Sequence, residues 1–274
     1  MNISLRPIEG SIQASRSLAD TVAEEIEIPQ YSVPAIAAIW AAAAVPMAAL
    51  AWLVAPALAR SFSGQGAAPM LQGLVIALTI GLIWQFVLVA VLVVREQRTV
   101  AWSTIRQALW LRAPRSPGTG RAGGRLWLLL IPLIVAYALV TELIPAIAAP
   151  PDRDLASFLQ SESGQGFMSG NWLWFALLVV MFLFNTALGE ELLFRGFLLP
   201  RMNGAFGRRD WLANGVLFAV YHLHVPWAIP ESLVAEMFLA AYPSRRYRSA
   251  LIGIAVHSAQ SVVLAALLLV LVLS

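Results

Sequence analysis

The stretch from Trp172 to Leu199, WLWFALLVVMFLFNTALGEELLFRGFLL, decides the fold. It is long and apolar enough to cross a bilayer, which takes about 20 residues of helix. Near its end stands the run Gly189-Glu190-Glu191-Leu192-Leu193-Phe194-Arg195. Ionisable side chains at membrane depth are costly and by default mark function. The stretch therefore predicts a membrane-spanning helix and also the position of its chemistry.

The composition of the whole chain agrees with a membrane protein. Of its 274 residues, 59% are hydrophobic and 12% are charged, whereas about a quarter are charged in a typical soluble domain. This excludes soluble enzymes, nucleic-acid-binding proteins and secreted disulfide scaffolds. The chain has no cysteine, and hence no thiolate nucleophile or zinc–thiolate site. No short apolar segment with a cleavage site opens the sequence, so we expect no removable signal peptide.

The apolar runs predict an all-α polytopic membrane protein with about seven transmembrane helices. We divide it into a polar N-terminal tail (1–32), N-terminal membrane helices (33–171) and a catalytic membrane core (172–274). The predicted spans are 33–58, 69–94, 126–149, 172–199, 211–229, a shorter one within 226–244, and 249–273.

The distribution of arginine predicts the orientation of these spans. The loop 95–125 holds seven arginines against the single acidic residue Glu96. Within it, Trp102 and Ile105 recur at helical spacing, which is typical of a helix in the membrane interface or of an ordinary amphipathic connector. Seven spans place this loop and two further basic turns in the cytoplasm, with the acidic loop 150–171 outside. We therefore expect a multi-pass protein of the cell membrane with a cytoplasmic N-terminus.

Three predicted helices carry ionisable groups to a similar depth. From the cytoplasmic ends of their helices, the rise per residue places Glu190 roughly 15 Å, His222 roughly 16 Å and His257 roughly 12 Å into the bilayer. Chance placement does not favour such agreement. We therefore predict that these three side chains form one site in the cytoplasmic half of the membrane.

The two adjacent glutamates are expected to differ in role. Glu191 and Arg195 are four residues apart with the acid first, the favourable order for a helical ion pair. Glu190 projects about 100° away and cannot share that pair in the same geometry. We infer that Glu191 and Arg195 give electrostatic support and that Glu190 is free for chemistry. The alternative is that both glutamates only balance Arg195.

His222 and His224 are two residues apart, which on a helix places them on nearly opposite faces. Only one of them is then expected to face the glutamates. Pro226 follows His222 by four residues and predicts a kink there. We favour His222 as the functional residue and His224 as a bystander.

A carboxylate and an imidazole that share one water can activate it as a nucleophile. A second histidine with a nearby donor can stabilise the oxyanion that forms at a peptide carbonyl. This describes a hydrolase without a covalent intermediate, and no Gly-x-Ser-x-Gly motif points to a serine nucleophile. The rival interpretation is a metal site, because one glutamate and two histidines are also a zinc ligand set. The absence of a His-Glu-x-x-His motif weakens it.

Glu190-Glu191-x-x-x-Arg195, Phe218-x-x-x-His222 and His257 resemble, in this order, the three motifs of the CPBP intramembrane proteases. These are the CAAX-prenyl-endopeptidase and bacteriocin-processing relatives, known as glutamic intramembrane proteases. The resemblance covers roughly residues 172–265. It implies an all-helical membrane core with a water-filled cavity open to the cytoplasm.

The resemblance also implies roles for individual residues. Glu190 and His222 would activate the water, and His257 with Ser261 would form the oxyanion site. Phe218 joins Glu191 and Arg195 as supporting residues. Ser261 stands where the family usually has Asn or Asp, and a lost oxyanion donor costs about 10² to 10³ in rate.

The leading hypothesis is an intramembrane endopeptidase that cleaves a peptide or membrane-protein substrate. Ser261 motivates an alternative, a catalytically weak scaffold or immunity-type binding protein. A proton-coupled transporter with Glu190 and His222 as a relay is a third. We expect the lipid bilayer and a peptide as partners, no nucleic acid and no cofactor, with a divalent metal at Glu190, His222 and His257 left open.

Overall fold

The computed structural model describes residues 26–64, 68–144 and 147–274. These residues form helices joined by turns, and the one β-type feature found among them is an isolated antiparallel bridge between Arg115 and Ala122. The predicted all-α fold is thus confirmed. Most of the predicted N-terminal tail, residues 1–25, lies outside the described residues.

The helices are named α1 to α11 in chain order. Short π-helical turns interrupt α1, α7 and α10 without ending them. The bounds are α1 Val33–Ser61, α2 Pro69–Gln97, α3 Trp102–Ala108, α4 Leu130–Leu143, α5 Leu155–Gln160, α6 Glu162–Met168, α7 Trp172–Arg201, α8 Asn203–Phe206, α9 Asp210–Tyr221, α10 229–247 and α11 Ala250–Leu273.

Four helices of the described chain, α1, α2, α7 and α11, are long and apolar enough to cross a membrane. They correspond to the first, second, fourth and last of the predicted spans. The prediction of about seven spans is not confirmed. The third predicted span contains a shorter apolar helix, Gly124–Val140, and the acidic loop 150–171 contains α5 and α6. A helix within the basic loop is confirmed as α3.

The predicted fifth span, 211–229, is wrong as a continuous helix. It ends at Tyr221 after 12 residues, or about 18 Å, which is less than the roughly 30 Å hydrocarbon core. Two 3₁₀ turns follow, His222–His224 and Pro226–Ala228. Val225 has φ −141° and ψ 66°, because a residue before proline is driven out of the helical region. Pro226 thus ends the helix where only a kink was predicted.

The functional stretch of α7 is not a regular α-helix. π-helical turns occupy Phe184–Gly189 and Leu192–Leu198, on either side of the two glutamates. A further one, Glu236–Ala241, lies in α10. Such turns are rare and are often found at functional sites. Each distortion changes the direction of the side chains that follow, so regular helical spacing does not fully describe these segments.

The main core packs α7 against α1, α2 and α9. Phe194 and Phe197 of α7 are fully buried beside Leu82 of α2 and Phe218 of α9. At Gly189 a β-carbon would stand 2.5 Å from the carbonyl oxygen of Phe184 and 3.1 Å from that of Leu82. Glycine therefore allows α7 and α2 to approach closely just before the glutamates.

A polar anchor joins the start of the described chain to the end of α7. Arg201 is fully buried and its guanidinium forms an ion pair with Glu96 at 2.5 Å. The hydroxyl of Tyr31 donates to the same carboxylate at 2.6 Å, and the amide of Tyr31 donates to the carbonyl of Arg201 at 2.9 Å. These bonds fix the end of α7 that follows the glutamates.

Candidate active site

Arg195 is the centre of a buried charge network between α7 and α10. It is fully buried, and its Nη1 atom lies 3.3 Å from Oε1 of Glu191, as the spacing predicted. Its Nη2 atom donates to the Oε2 atom of Glu236, and to the carbonyl oxygen of that residue at 3.1 Å. Its guanidinium also lies 4.2 Å from the ring centre of Phe218. One arginine thus binds two carboxylates and an aromatic face, which compensates the cost of burying its charge.

His257 of α11 joins this network through its Nδ1 atom. That atom lies 3.3 Å from Oε1 of Glu191 and 3.7 Å from Oε1 of Glu236. The ring of Tyr137 stacks on the imidazole, with the ring centres 6.0 Å apart. The hydroxyl of Tyr137 donates to Glu236 at 2.7 Å. His257 is therefore held in one orientation by two carboxylates and one aromatic ring.

Gly253 makes room for this arrangement on α11. A β-carbon there would stand 2.4 Å from Oε2 of Glu191 and 3.0 Å from Cγ of Arg195. Only a residue without a side chain lets α11 approach the ion pair this closely. Its amide donates to the hydroxyl of Ser244 at 3.2 Å.

Glu190 differs from Glu191 in its partners. It is fully buried, yet neither carboxylate oxygen has a hydrogen-bond partner among the described residues. The hydroxyl of Tyr221 lies beside the carboxylate, within reach of a hydrogen bond of relaxed geometry, and it accepts a 2.5 Å bond from Nε2 of Gln85. Buried polar groups are nearly always paired, so an orphan carboxylate requires an explanation such as a bound water or a catalytic role.

One of the two ring nitrogens of His222 forms a hydrogen bond. Its Nδ1 atom lies 3.0 Å from the carbonyl oxygen of Phe218. Because a carbonyl only accepts, Nδ1 must carry the proton, which leaves Nε2 as the basic nitrogen of the neutral ring. No hydrogen bond joins His222 to Glu190 within the described chain.

The expectation that His222 and His224 point to opposite faces is wrong. Their rings stack with centres 5.4 Å apart and planes at 22°. Both lie in the 3₁₀ turn after α9, where α-helical spacing does not apply. The Nδ1 atom of His224 lies 3.4 Å from the carbonyl of Tyr221, so its ring supports that of His222.

Phe218 of α9 lies between His222, in the turn after that helix, and His257 of α11. Its ring centre is 5.0 Å from that of His222 and 6.1 Å from that of His257. The predicted supporting residue thus contacts both histidines and Arg195.

Ser261 lies one turn beyond His257, in a groove of about 190 Å³ between α7 and α11. Thr186 and Ser258 line the same groove, and their hydroxyls are 3.0 Å apart. An oxyanion role for Ser261 stays a prediction.

Sequence reasoning missed Glu236, Tyr137, Tyr221 and Gln85. Glu236 is an ionisable residue inside an apolar stretch, which is the signal that identified the other glutamates. Tyr137 and Gln85 come from α4 and α2, so the site draws on helices outside the predicted catalytic core.

The ligand set for a possible metal also differs from the predicted one. Glu191, Glu236 and His257 each offer an atom within 4.8 Å of the others, whereas the predicted set was Glu190, His222 and His257. Arg195 already neutralises the two carboxylates of the observed cluster. A cation bound there would have to displace or tolerate that guanidinium.

These features define a helical membrane protein with a buried glutamate–arginine–histidine network. Residues 172–263 match the family model described as Type II CAAX prenyl endopeptidase Rce1-like. Within this segment the chain is similar to that family, which supports the resemblance to the CPBP proteases. The match covers α7 to α10 and more than half of α11, and it supports a protease. No curated protein and no solved structure is significantly similar to the chain.

The apolar helices and the family match together indicate a membrane protein.

Proposed function

We propose that this chain is an intramembrane endopeptidase in which Glu190 and His222 activate a water molecule for attack on a peptide bond. The observation that carries this proposal is the orphan carboxylate of Glu190. The neighbouring charges compensate one another in close ion pairs, while Glu190 forms no ion pair within the described chain and has the Tyr221 hydroxyl and His257 in its surroundings. A water molecule is the natural partner for such a group.

The proposed step uses Glu190 as the general base. Its carboxylate takes a proton from the water, and the oxygen of the water forms a bond to the carbonyl carbon of the substrate. The free Nε2 atom of His222 holds that water. Collapse of the tetrahedral intermediate breaks the C–N bond, and the proton passes from Glu190 to the departing amine.

His257 and Ser261 are proposed to stabilise the oxyanion. His257 is positioned for this by Glu191 and Glu236, whose carboxylates lie beside its Nδ1 atom and orient the imidazole towards the developing anion. Ser261 contributes one hydroxyl donor. The cavity that would admit the substrate opens, in this proposal, towards the arginine-rich end of the bundle, which the positive-inside rule assigns to the cytoplasm.

The substrate class follows from the family description. A CAAX prenyl endopeptidase acts on a prenylated C-terminal peptide, and a peptide carried into the bilayer by an apolar anchor is the substrate that we propose for this chain. Because the four spanning helices would place the site within the bilayer, an apolar anchor dissolved in the lipid would lie beside it.

The test uses the purified full-length chain in lipid nanodiscs with paired fluorogenic peptides, one prenylated and one not. We expect cleavage by wild type, loss of at least about 100-fold in kcat/KM for Glu190→Gln and for His222→Ala, and no change for Glu142→Gln. Glu142 is an exposed glutamate at the end of α4 and serves as the matched control. Equal cleavage by all four proteins would overturn the assignment. A cellular phenotype that survives Glu190→Gln would favour the scaffold alternative.

A further inference from the structure

A basic cleft lies at the arginine-rich end of the bundle, apart from the glutamate site. It has a volume of about 800 Å³ and lies where the 112–123 loop, the Gly207–Arg209 turn and the end of α10 meet. Five of its lining residues are arginines: Arg115, Arg208, Arg245, Arg246 and Arg248.

The cleft carries uncompensated positive charge. Arg245 forms an ion pair with Asp210, which is fully buried and so fixes that guanidinium. Arg115, Arg208 and Arg246 form no ion pair with any carboxylate of the described chain. Among the described residues, no acidic side chain lines the cleft. Guanidinium groups bind phosphate with paired hydrogen bonds, so several around one cleft favour a phosphate ligand.

The walls of the cleft are held in place by backbone contacts. The amide of Arg115 donates to the carbonyl of Tyr247 at 2.9 Å. The Nε atom of Arg112 donates to the carbonyl of Arg248 at 3.1 Å. The arginine-rich loop is thereby attached to the end of α10, so the basic side chains converge on a preformed cleft.

An aromatic surface continues from the cleft along α10. The rings of Trp211 and Tyr242, which line the cleft, are 5.0 Å apart, and Phe238 follows at 5.8 Å from Trp211. Phe238 is 51% exposed and Tyr242 is 45% exposed. Tryptophan and tyrosine are enriched at the headgroup level of membranes. A ligand that fits both features has a phosphate group and an apolar body.

We infer that this cleft binds the phosphate headgroup of an anionic glycerophospholipid, with the acyl chains along Phe238 of α10. Basic pockets at helix ends commonly recognise anionic headgroups. A free phosphate would use the arginines but would leave the exposed aromatic surface beside them uncovered. A glycerophospholipid would bind the arginines with its phosphate and cover the aromatic surface with its acyl chains.

The experiment measures lipid binding to the full-length chain in detergent by native mass spectrometry, with thermal unfolding as a second readout. The probes are phosphatidylglycerol, phosphatidylcholine and inorganic phosphate. The cleft variant is Arg115→Gln, Arg208→Gln and Arg246→Gln combined. The control combines Arg95→Gln, Arg125→Gln and Arg209→Gln, which removes the same net charge from exposed positions outside the cleft.

We expect wild type and control to prefer phosphatidylglycerol over phosphatidylcholine. The cleft variant should bind phosphatidylglycerol at least about tenfold more weakly, since each arginine near an anionic surface contributes about a further several-fold. Equal weakening in both variants would overturn the proposal in favour of diffuse attraction. Displacement of the lipid by millimolar phosphate would overturn it in favour of a soluble anion. If the combined variant does not fold, Arg208→Gln and Arg246→Gln are compared singly with Arg209→Gln.

Discussion

The Nδ1 atom of His257 lies 3.3 Å from the Oε1 atom of Glu191. Glu190, one residue earlier, has no hydrogen-bond partner for either oxygen among the described residues. The histidine of the last helix is therefore oriented by the second glutamate, and the first remains available for a water molecule. The two carboxylates are adjacent in the chain but differ in the side chains that they contact.

This difference predicts opposite effects on stability. Glu190→Gln removes a buried carboxylate that forms no ion pair within the described chain, so we expect an unchanged or higher unfolding temperature together with lost peptidase activity. Glu191→Gln leaves Arg195 and His257 with one carboxylate fewer, and breaking a buried ion pair costs about 3–5 kcal/mol. Thermal unfolding of both variants in the same detergent measures the contrast. Equal destabilisation by the two substitutions would contradict the assigned roles.

Glu236 is expected to contribute to stability and activity as much as Glu191 does. It accepts from both Arg195 and Tyr137 and lies 3.7 Å from His257. Glu236→Gln should lower the unfolding temperature, because Arg195 loses an ion-pair partner, and it should also reduce kcat, because His257 loses one of the carboxylates that orient its ring.

Glu231→Gln is the matched control for this variant. Glu231 lies on the same helix, is partly buried and forms no ion pair within the described chain. If the Glu231 and Glu236 substitutions behave alike, the network at Glu236 does not support the site.

The position of Gly253 yields a third prediction. Glycine to alanine inside a helix normally stabilises by about 1 kcal/mol. Here the new β-carbon would stand 2.4 Å from Oε2 of Glu191, so we expect Gly253→Ala to lower both the unfolding temperature and the activity.

Gly166→Ala serves as the control, because its added β-carbon would have no described atom within 4 Å apart from its chain neighbours and the backbone of its own helix. Gly166 is also helical, in α6. Thermal unfolding should show the two substitutions moving stability in opposite directions. A gain in stability from Gly253→Ala would show that α11 does not press against the ion pair.

Several residues of the site were predictable because ionisable side chains are rare inside the apolar stretches of this chain. Spacing alone predicted the ion pair of Glu191 and Arg195. Glu236, the second carboxylate bound by Arg195, could have been found by the search for ionisable residues inside apolar stretches. The roles of Tyr137 and Gln85 were not predictable. They depend on which faces of α4 and α2 turn towards the site, and helices that are apolar all round carry little signal of direction.

The geometry around His222 shows where helical periodicity fails. The spacing of His222 and His224 predicted opposite faces on a helix that Pro226 would kink. Instead, the helix ends at Tyr221 and the two rings stack. Proline removes a hydrogen bond and also restricts the residue before it. Whether a helix kinks or ends depends on what packs against it, and a single sequence does not carry that information.

The anchor at Tyr31 predicts a dependence of stability on alkaline pH. Burial and the hydrogen bond to Glu96 raise the pKa of Tyr31 from 10.0 to about 12. The folded state therefore favours the neutral phenol, so its contribution is fully present below about pH 10 and is lost as the pH rises through about 12. The stability difference between wild type and Tyr31→Phe should narrow from pH 9 to pH 12, as measured by unfolding midpoints. Tyr242→Phe removes an exposed tyrosine and serves as the control, which should show no such trend. A stability difference for Tyr31→Phe that stays constant with pH would mean that the phenol does not anchor the chain to Glu96 and Arg201.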